Sequence, residues 1–385
     1  MSEWKKVKLK ECIEEVNERT TQNNQYEVLT SSKTGIYSQE EYFDKQVASK
    51  NNVGYKIIKK GQFTYRSMSD NGTFTINRLE NKDVGIVSPA YPVFKTINID
   101  DEYLKYYFKS EEFKKAIYNL SQGSTRTALK FKDLVEIEHL LPPIEEQKKI
   151  VKVLKHVDSI IEKYESLLKN KEQFIKSQFV EMFENDQYEE KTLDDISIIR
   201  GEYGSNVPAM EYDETLPRYV RITDITDSGK LASNSLASPK DEVNIEKYIL
   251  KYGDILFART GATVGKTYLY DKLDGECIYA GYCIRFRLNK DIVNPEYIFR
   301  YTQTTKYLKW VDIVKRGGAQ PNINSKQYGS ITIPIPPMEL QNQFANIVEQ
   351  IDKQKFELEK IIENYKKLKK GLMQQLLTGK VKVNV

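Results

Sequence analysis

LPPIEEQKKIVKVLKHVD (141–158) and IPPMELQNQFANIVEQID (335–352) say nearly the same thing 194 positions apart. Pro142-Pro143 falls on Pro336-Pro337, Glu145 on Glu339, Gln147 on Gln341 and Asp158 on Asp352. One offset serves all of them, so the chain contains a duplication. After the first proline pair, apolar residues recur at Ile150, Leu154, Val157, Ile161, Tyr164 and Leu168. After the second they recur at Phe344, Val348, Ile351, Leu358, Ile362 and Tyr365. Steps of three and four predict an amphipathic helix over 144–184 and another over 338–378. Each would be about 60 Å long, more than a globular domain needs. Pro-Pro gives a sharp entry to each helix, and Gly379 suits the cap of the second. A single apolar seam on a charged helix needs a partner, and the other copy is the nearest one. Antiparallel pairing along Val157, Ile161, Leu168, Ile351, Leu358 and Ile362 is therefore expected.

The duplication extends upstream of the helices. Gly61 corresponds to Gly253, Glu102-Tyr103-Leu104 to Glu296-Tyr297-Ile298, and Gly123 to Gly317. Short β-rich runs, GIVSPAYPVF (85–94), CIRFRL (283–288) and ITIPIP (331–336), alternate with polar turns such as SDNG (69–72) and TDSG (226–229). The expected class is α/β (α+β): two globular domains in tandem repeat, separated by two long antiparallel coiled-coil helices. The boundaries read as domain 1–141, helix 142–185, domain 186–335, and helix with C-terminal tail 336–385.

Gross composition narrows the function. The 385 residues carry a formal net charge of only +4, so bulk charge favours nucleic acid slightly. The 26 tyrosines suit wet interfaces and base stacking. No apolar run is long enough to span a membrane, and no secretory signal is recognisable at the N-terminus. Cys12, Cys277 and Cys283 form no C-x-x-C pair and read as reduced thiols, which points to the cytoplasm.

Three catalytic motifs are approached and missed. GATVGKT (261–267) resembles a phosphate-binding loop but has three residues, Ala262 to Val264, where that loop needs four. NPEY (294–297) lacks the second proline of a methyltransferase adenine-binding motif and reads better as a helix start, with Asn294 as N-cap and Pro295 next. With only His139 and His156, no histidine metal constellation exists, and His156 sits on a charged helical stretch. The expectation is a chain with no catalytic residues, no metal and no cofactor of its own.

What remains are glycine-containing loops rich in Arg, Thr, Ser, Asn and Gln. In the first copy they supply Arg66, Ser67 and Asn71, then Arg126 and Thr127. In the second they supply Arg259, Thr260, Thr263 and Lys266, then Arg316, Gln320 and Asn322. Arg fits the guanine edge, Gln and Asn fit adenine, and hydroxyls fit phosphates. Any one of these could equally be an ordinary turn residue. The loops occupy matching places in the two copies while their sequences differ, as two readers of different sequences would.

These features resemble the specificity subunit of type I restriction–modification systems. The likeness rests on the doubled Pro-Pro with E-x-Q and long helix, on GDILFARTGATVGKT (253–267), on RGGAQPNIN (316–324), and on LMQQLLTGKV (372–381). It covers essentially the whole chain. The resemblance implies one target-recognition domain per half, each reading part of a split double-stranded DNA site. It also implies recruitment of two modification subunits, which methylate adenine with S-adenosylmethionine, and of restriction subunits that use ATP and Mg. Arg259, Thr260, Gly261, Thr263 and Lys266 match the family motif, whereas the first copy departs from it after Arg66. A different reading, a non-catalytic coiled-coil adaptor binding proteins through its globular ends, is separated from this one by salt-sensitive DNA binding.

Overall fold

The computed structural model describes residues 3–39, 51–69, 72–120, 127–183, 188–240, 245–315 and 321–383. The chain forms two compact units, Met1–Ser166 with Glu359–Val385, and Leu167–Leu358.

In the first unit, strand Lys5–Lys8 pairs antiparallel with Glu138–Leu141, the strand that runs into the first proline pair. A four-stranded antiparallel sheet follows in the order Ile13–Glu15, Val93–Thr96, Phe63–Tyr65, Ile76–Arg78. Helices Asp101–Phe108 and Glu111–Leu120 contribute to its core, where Phe63 stacks on Phe94 at 5.5 Å and Phe108 meets Phe113 at 4.8 Å. The GIVSPAYPVF run does not form one strand. Val84–Val87 pairs with Lys56–Lys59, and Val93–Thr96 joins the four-stranded sheet. A turn at Ser88–Tyr91 divides them, and Pro89 and Pro92 cannot donate to a ladder.

The second unit repeats the plan. Glu190–Thr192 pairs with Thr332–Pro334, ahead of the second proline pair. Its four-stranded antiparallel sheet has the order Ser197–Tyr203, Cys283–Leu288, Asp254–Ala258, Thr267–Leu269. Helices Pro295–Tyr301, Thr305–Val314 and Ser325–Gly329 take the places of Asp101–Phe108, Glu111–Leu120 and Phe131–Leu134. The N-cap reading of NPEY holds: the Asn294 side chain accepts from the Glu296 N–H, with Pro295 opening the helix. The copies diverge beside the shared sheet. Both keep a parallel contact there, Arg218–Val220 with Cys277–Tyr279 in the second and the Val28–Ile86 bridge in the first, but only the first adds the antiparallel pairs Leu29–Ser31 with Ile36–Ser38 and Lys56–Lys59 with Val84–Val87.

The structure explains why the duplicated stretch is duplicated. Gln147 and Gln341 are both buried. Each Nε2 donates to the first proline's carbonyl, Pro142 or Pro336, at 2.8 Å. Each Oε1 accepts the N–H of the residue capping the next short helix, Asp100 at 2.8 Å or Asn294 at 2.9 Å. One carboxamide thus fixes the entry of the long helix to the start of a domain helix, satisfying groups that burial would otherwise strand. The paired aspartates play matching parts: Asp158 accepts from the Tyr106 hydroxyl at 2.6 Å, and Asp352 pairs with Arg300 at 2.7 Å.

The long helices are Ile144–Phe183, 40 residues, and Met338–Leu376, 39 residues. Inside the first unit, Tyr164 stacks on Tyr365 at 6.0 Å, Glu165 pairs with Lys366 at 2.6 Å, and Asp158 pairs with Lys369. Inside the second, Lys171 reaches Gln354 at 2.6 Å and Phe183 meets Phe344 at 5.3 Å. Numbers rise along one helix as they fall along the other, so the pairing is antiparallel in both units. Val157, Ile161, Leu358 and Ile362 are buried, while Leu168 and Ile351 are half-buried. Gly379, at φ 68°, ends the second helix with the Lys380 N–H returning to the Gln375 carbonyl at 3.0 Å.

Candidate nucleic-acid interface

In each copy, the two loops singled out in the sequence are joined to each other. In the first copy Thr127–Ala128 forms a short antiparallel ladder with Met68–Ser69, and the Leu129 N–H donates to the Ser67 carbonyl at 2.9 Å. In the second, Thr260 bridges Asn322, and the Ile323 N–H donates to the Arg259 carbonyl at 2.9 Å. The same bond therefore closes both loop pairs. It also sets the register: Ser67, not Arg66, is the structural counterpart of Arg259. Arg66 stands where the second copy has the buried Ala258, and it is exposed. Counting from the shared glycines Gly61 and Gly253 leads to the same alignment.

Strand Asp254–Ala258 leads into the loop and Thr267–Leu269 leaves it, so GATVGKT is the tip of an antiparallel hairpin. No helix follows it, and hence no helix N-terminus faces a phosphate as a nucleotide-binding loop requires. Two tyrosine hydroxyls pin the loop from below. Tyr328 donates to the Ala258 carbonyl at 2.8 Å and accepts from the Gly265 N–H at 3.1 Å, while Tyr307 donates to the Gly265 carbonyl at 2.9 Å. Gly265 sits at φ 90°, and a Cβ there would lie 2.6 Å from Val311. Only glycine fits.

Above this base, Arg259, Thr260 and Asn322 come together. The Gly261 N–H donates to the Pro321 carbonyl at 3.1 Å, and the Thr263 hydroxyl donates to the Thr260 carbonyl at 3.1 Å. Thr263 therefore uses its proton to brace the turn. Lys266 is drawn aside: its Nζ lies 2.8 Å from the Asp227 carboxylate, which is 94% exposed. Asn322 is exposed and Arg259 half-buried. Asn71, Arg126, Arg316 and Gln320 lie outside the described residues, and Thr127 is described by its backbone alone.

Sequence reasoning missed Tyr203. Its ring lies under the Arg259 guanidinium, 4.6 Å from centroid to carbon, and its hydroxyl accepts the Ser325 N–H at 3.2 Å. Burial pushes this phenol up, but the Ser325 contacts and the Arg259 charge outweigh it and hold it below its ordinary value. The available signal was Gly201, a glycine inside a strand. There the ladder with Cys283–Leu288 slips between Ile199 and Glu202, and Gly201 takes φ 41°. Below the site, the buried Asp254 carboxylate holds Arg287 at 2.6 Å and Arg285 at 3.7 Å, and Arg285 also pairs with Glu202.

The chain matches the family model for the type I restriction modification DNA specificity domain twice, over residues 1–170 and 185–369. It belongs to that family. Among its relatives, the type I restriction enzyme MjaVIII specificity subunit of Methanocaldococcus jannaschii is 26% identical over 305 residues, 74% of this chain and 71% of the relative. The MjaIX specificity subunit of the same organism is 24% identical over 313 residues, covering 73% and 69%. A solved chain of a type I restriction–modification system superposes with a TM-score of 0.62 at 16% identity, covering 99% of both chains. The S subunit of M. genitalium gives 0.55 at 15% identity, covering 97% of this chain and 96% of that one. These two share the fold. As a specificity subunit, the chain recognises DNA sequence through two domains, acts with other subunits of the system, and is not itself an enzyme. Among the described residues, no helix is long and apolar enough to cross a membrane.

Proposed function

We propose that residues 1–141 and 186–335 each read one half of a split double-stranded DNA site through the joined loops, and that helices 142–185 and 336–385 set the spacing between the halves. The reading is carried by one observation: the same hydrogen bond joins two chemically different loops at the same place in both copies. A common frame with variable loops lets two readers share a geometry and differ in the bases they select. In the first copy Arg66, Ser67, Asn71, Arg126 and Thr127 make the contacts, and in the second Arg259, Thr260, Thr263, Lys266, Arg316, Gln320 and Asn322 do. Arg, Gln and Asn address base edges, while Ser67, Thr127 and Lys266 address phosphates; Thr263, whose proton goes to the Thr260 carbonyl, is left its methyl group for apolar contact with a base. Half-sites about one helical turn apart, roughly 10 bp between centres, suit two readers on one face of the duplex.

The partners in this proposal are two modification subunits and the restriction subunits, in the cytoplasm. S-adenosylmethionine, ATP and Mg are bound by those subunits and not by this chain. The hairpin form of GATVGKT supports the exclusion of ATP at that segment. The test is a titration of duplex DNA at rising salt. Affinity should fall steeply with salt, with a slope that drops by about one when a phosphate-contacting lysine such as Lys266 is replaced. Binding that ignores salt and loop substitutions would favour the protein-adaptor reading.

A further inference from the structure

Arg259 differs from most arginines of its unit in how its charge is held. Arg218, Arg221, Arg285, Arg287 and Arg300 each have a carboxylate within 4 Å. Among the described residues Arg259 has none, and its buried Nε has no hydrogen-bond acceptor. Its backbone is fixed on both sides, the N–H donating to Tyr282 at 3.0 Å and the carbonyl accepting from Ile323 at 2.9 Å. Its guanidinium rests on the face of Tyr203. A ring orients a cation without neutralising it, whereas a carboxylate would compete with DNA for the same donors.

Tyr203 is itself placed by construction. It ends strand Ser197–Tyr203 just beyond the slip in register, and a bulge of this kind re-aims the residues that follow it. Gly201 permits the slip: a Cβ there would sit 2.6 Å from the Ser325 Cβ, closing the gap between the strand and helix Ser325–Gly329. The Ser325 N–H then fixes the phenol end of the ring, and the other capping donor of that helix, the Gln327 N–H, goes to Asn324 at 2.9 Å. The platform is thus held at its strand end by the sheet and at its hydroxyl end by the helix that follows Asn322.

We propose that Tyr203 is a positioning residue for DNA recognition, a platform that presents the Arg259 guanidinium, uncompensated and with its rotamer restricted, to the duplex half-site read by residues 186–335. This rests on Arg259 being a DNA-contacting residue, as proposed above. A long arginine that must be ordered on binding loses rotamer freedom, and an arginine ordered beforehand does not.

The experiment uses the full chain assembled with its modification subunits. The probes are a duplex carrying the adenine-methylated site mapped in cells that contain the complex, and a duplex lacking that site. R259A is expected to weaken binding to the site by about 30-fold, a lost bidentate contact. Y203L should weaken it about tenfold, between the values of an exposed and a desolvated cation–ring contact, since the ring is partly exposed and the arginine half-buried. Y203F keeps the ring and loses the Ser325 tether, so its loss should be smaller than that of Y203L. The deciding result is the double variant. Y203L/R259A should bind within about twofold of R259A, because the platform has no function without its arginine. Methylome mapping should show relaxed base preference in one half-site only for R259A and for Y203L. Multiplying losses in the double variant, or a Y203L chain that binds like the parent while R259A is impaired, would overturn the proposal. An R259A chain that binds and selects like the parent would instead remove the reading on which it rests. Thermal midpoints of all variants separate misfolding from lost positioning, and Y203F provides the comparison if Y203L is unstable.

Discussion

Replacing Gln341 by Leu keeps the side-chain volume and removes the clamp at the start of the second long helix. The residue is 0% exposed, so water cannot substitute for the lost amide. The Asn294 N–H, now held at 2.9 Å, and the Pro336 carbonyl, at 2.8 Å, would both lose their partner. A buried polar group left without a partner costs about 1–3 kcal/mol, so the pair should cost about 4 kcal/mol. For a domain of 150–250 residues that lowers Tm by about 8–16 °C. The matched control is Gln343→Leu, two residues on, where the side chain is exposed and donates a long hydrogen bond to Glu339 at 3.4 Å. It should shift Tm by no more than about 2 °C. Gln147→Leu should behave like Gln341→Leu in the first unit. Scanning calorimetry of the full chain reads all three. A Gln341→Leu midpoint indistinguishable from that of Gln343→Leu would show that the repeated glutamine is not structural and that the repeat needs another explanation.

His139 is 6% exposed, lies 4.8 Å from the Tyr107 ring, and is pushed by burial from 6.5 down to about 4. The unfolded chain therefore takes up a proton first as pH falls, so stability present at pH 7 is lost between about 6.5 and 4. Denaturant titrations should show His139→Phe relieving about 2 kcal/mol of the loss between pH 7 and 5, and an unchanged pH slope would refute the assignment. Asp227→Asn should release Lys266 and tighten DNA binding, while Lys266→Ala should weaken it and leave no nucleotide-dependent property to lose. A tighter-binding Lys266→Ala would reverse both roles. A four-residue insertion after Asn170 adds about one helical turn, roughly 6 Å, and should lengthen the spacer between half-sites without altering either half-sequence. Methylome mapping that finds altered half-sequences would disprove the separation of spacing from reading.

The long helices were legible because their periodicity is local, and the duplication was legible because one offset aligned a proline pair, a glutamine and an aspartate. What the glutamine does was not, since the partners of Gln341 are a backbone carbonyl five residues away, an N–H 47 residues away and a weaker carbonyl contact 49 residues away. The paired loops were found by composition and by their matching positions. Arg66 looked like the counterpart of Arg259, although counting from Gly61 and Gly253 already points to Ser67, and the bonds from Leu129 and Ile323 agree with that count. GIVSPAYPVF contained a correct β signal on both sides of a turn, but which sheet each strand joins depends on partners distant in sequence. Tyr203 escaped altogether. Its role depends on a slip in register at Gly201, and a ladder irregularity has no signature beyond a glycine in a strand.

Single-molecule mapping of methylated adenines tests the central claim most directly, applied to cells carrying the assembled complex with the parent chain or with loop-substituted chains. The parent should give a two-part motif with a fixed gap. Substituting Arg316 and Gln320 should relax one part only, substituting Arg126 should relax the other only, and the gap should stay the same in both. A motif with a single undivided part, or a loop substitution that alters both parts together, would contradict two independent readers on one chain.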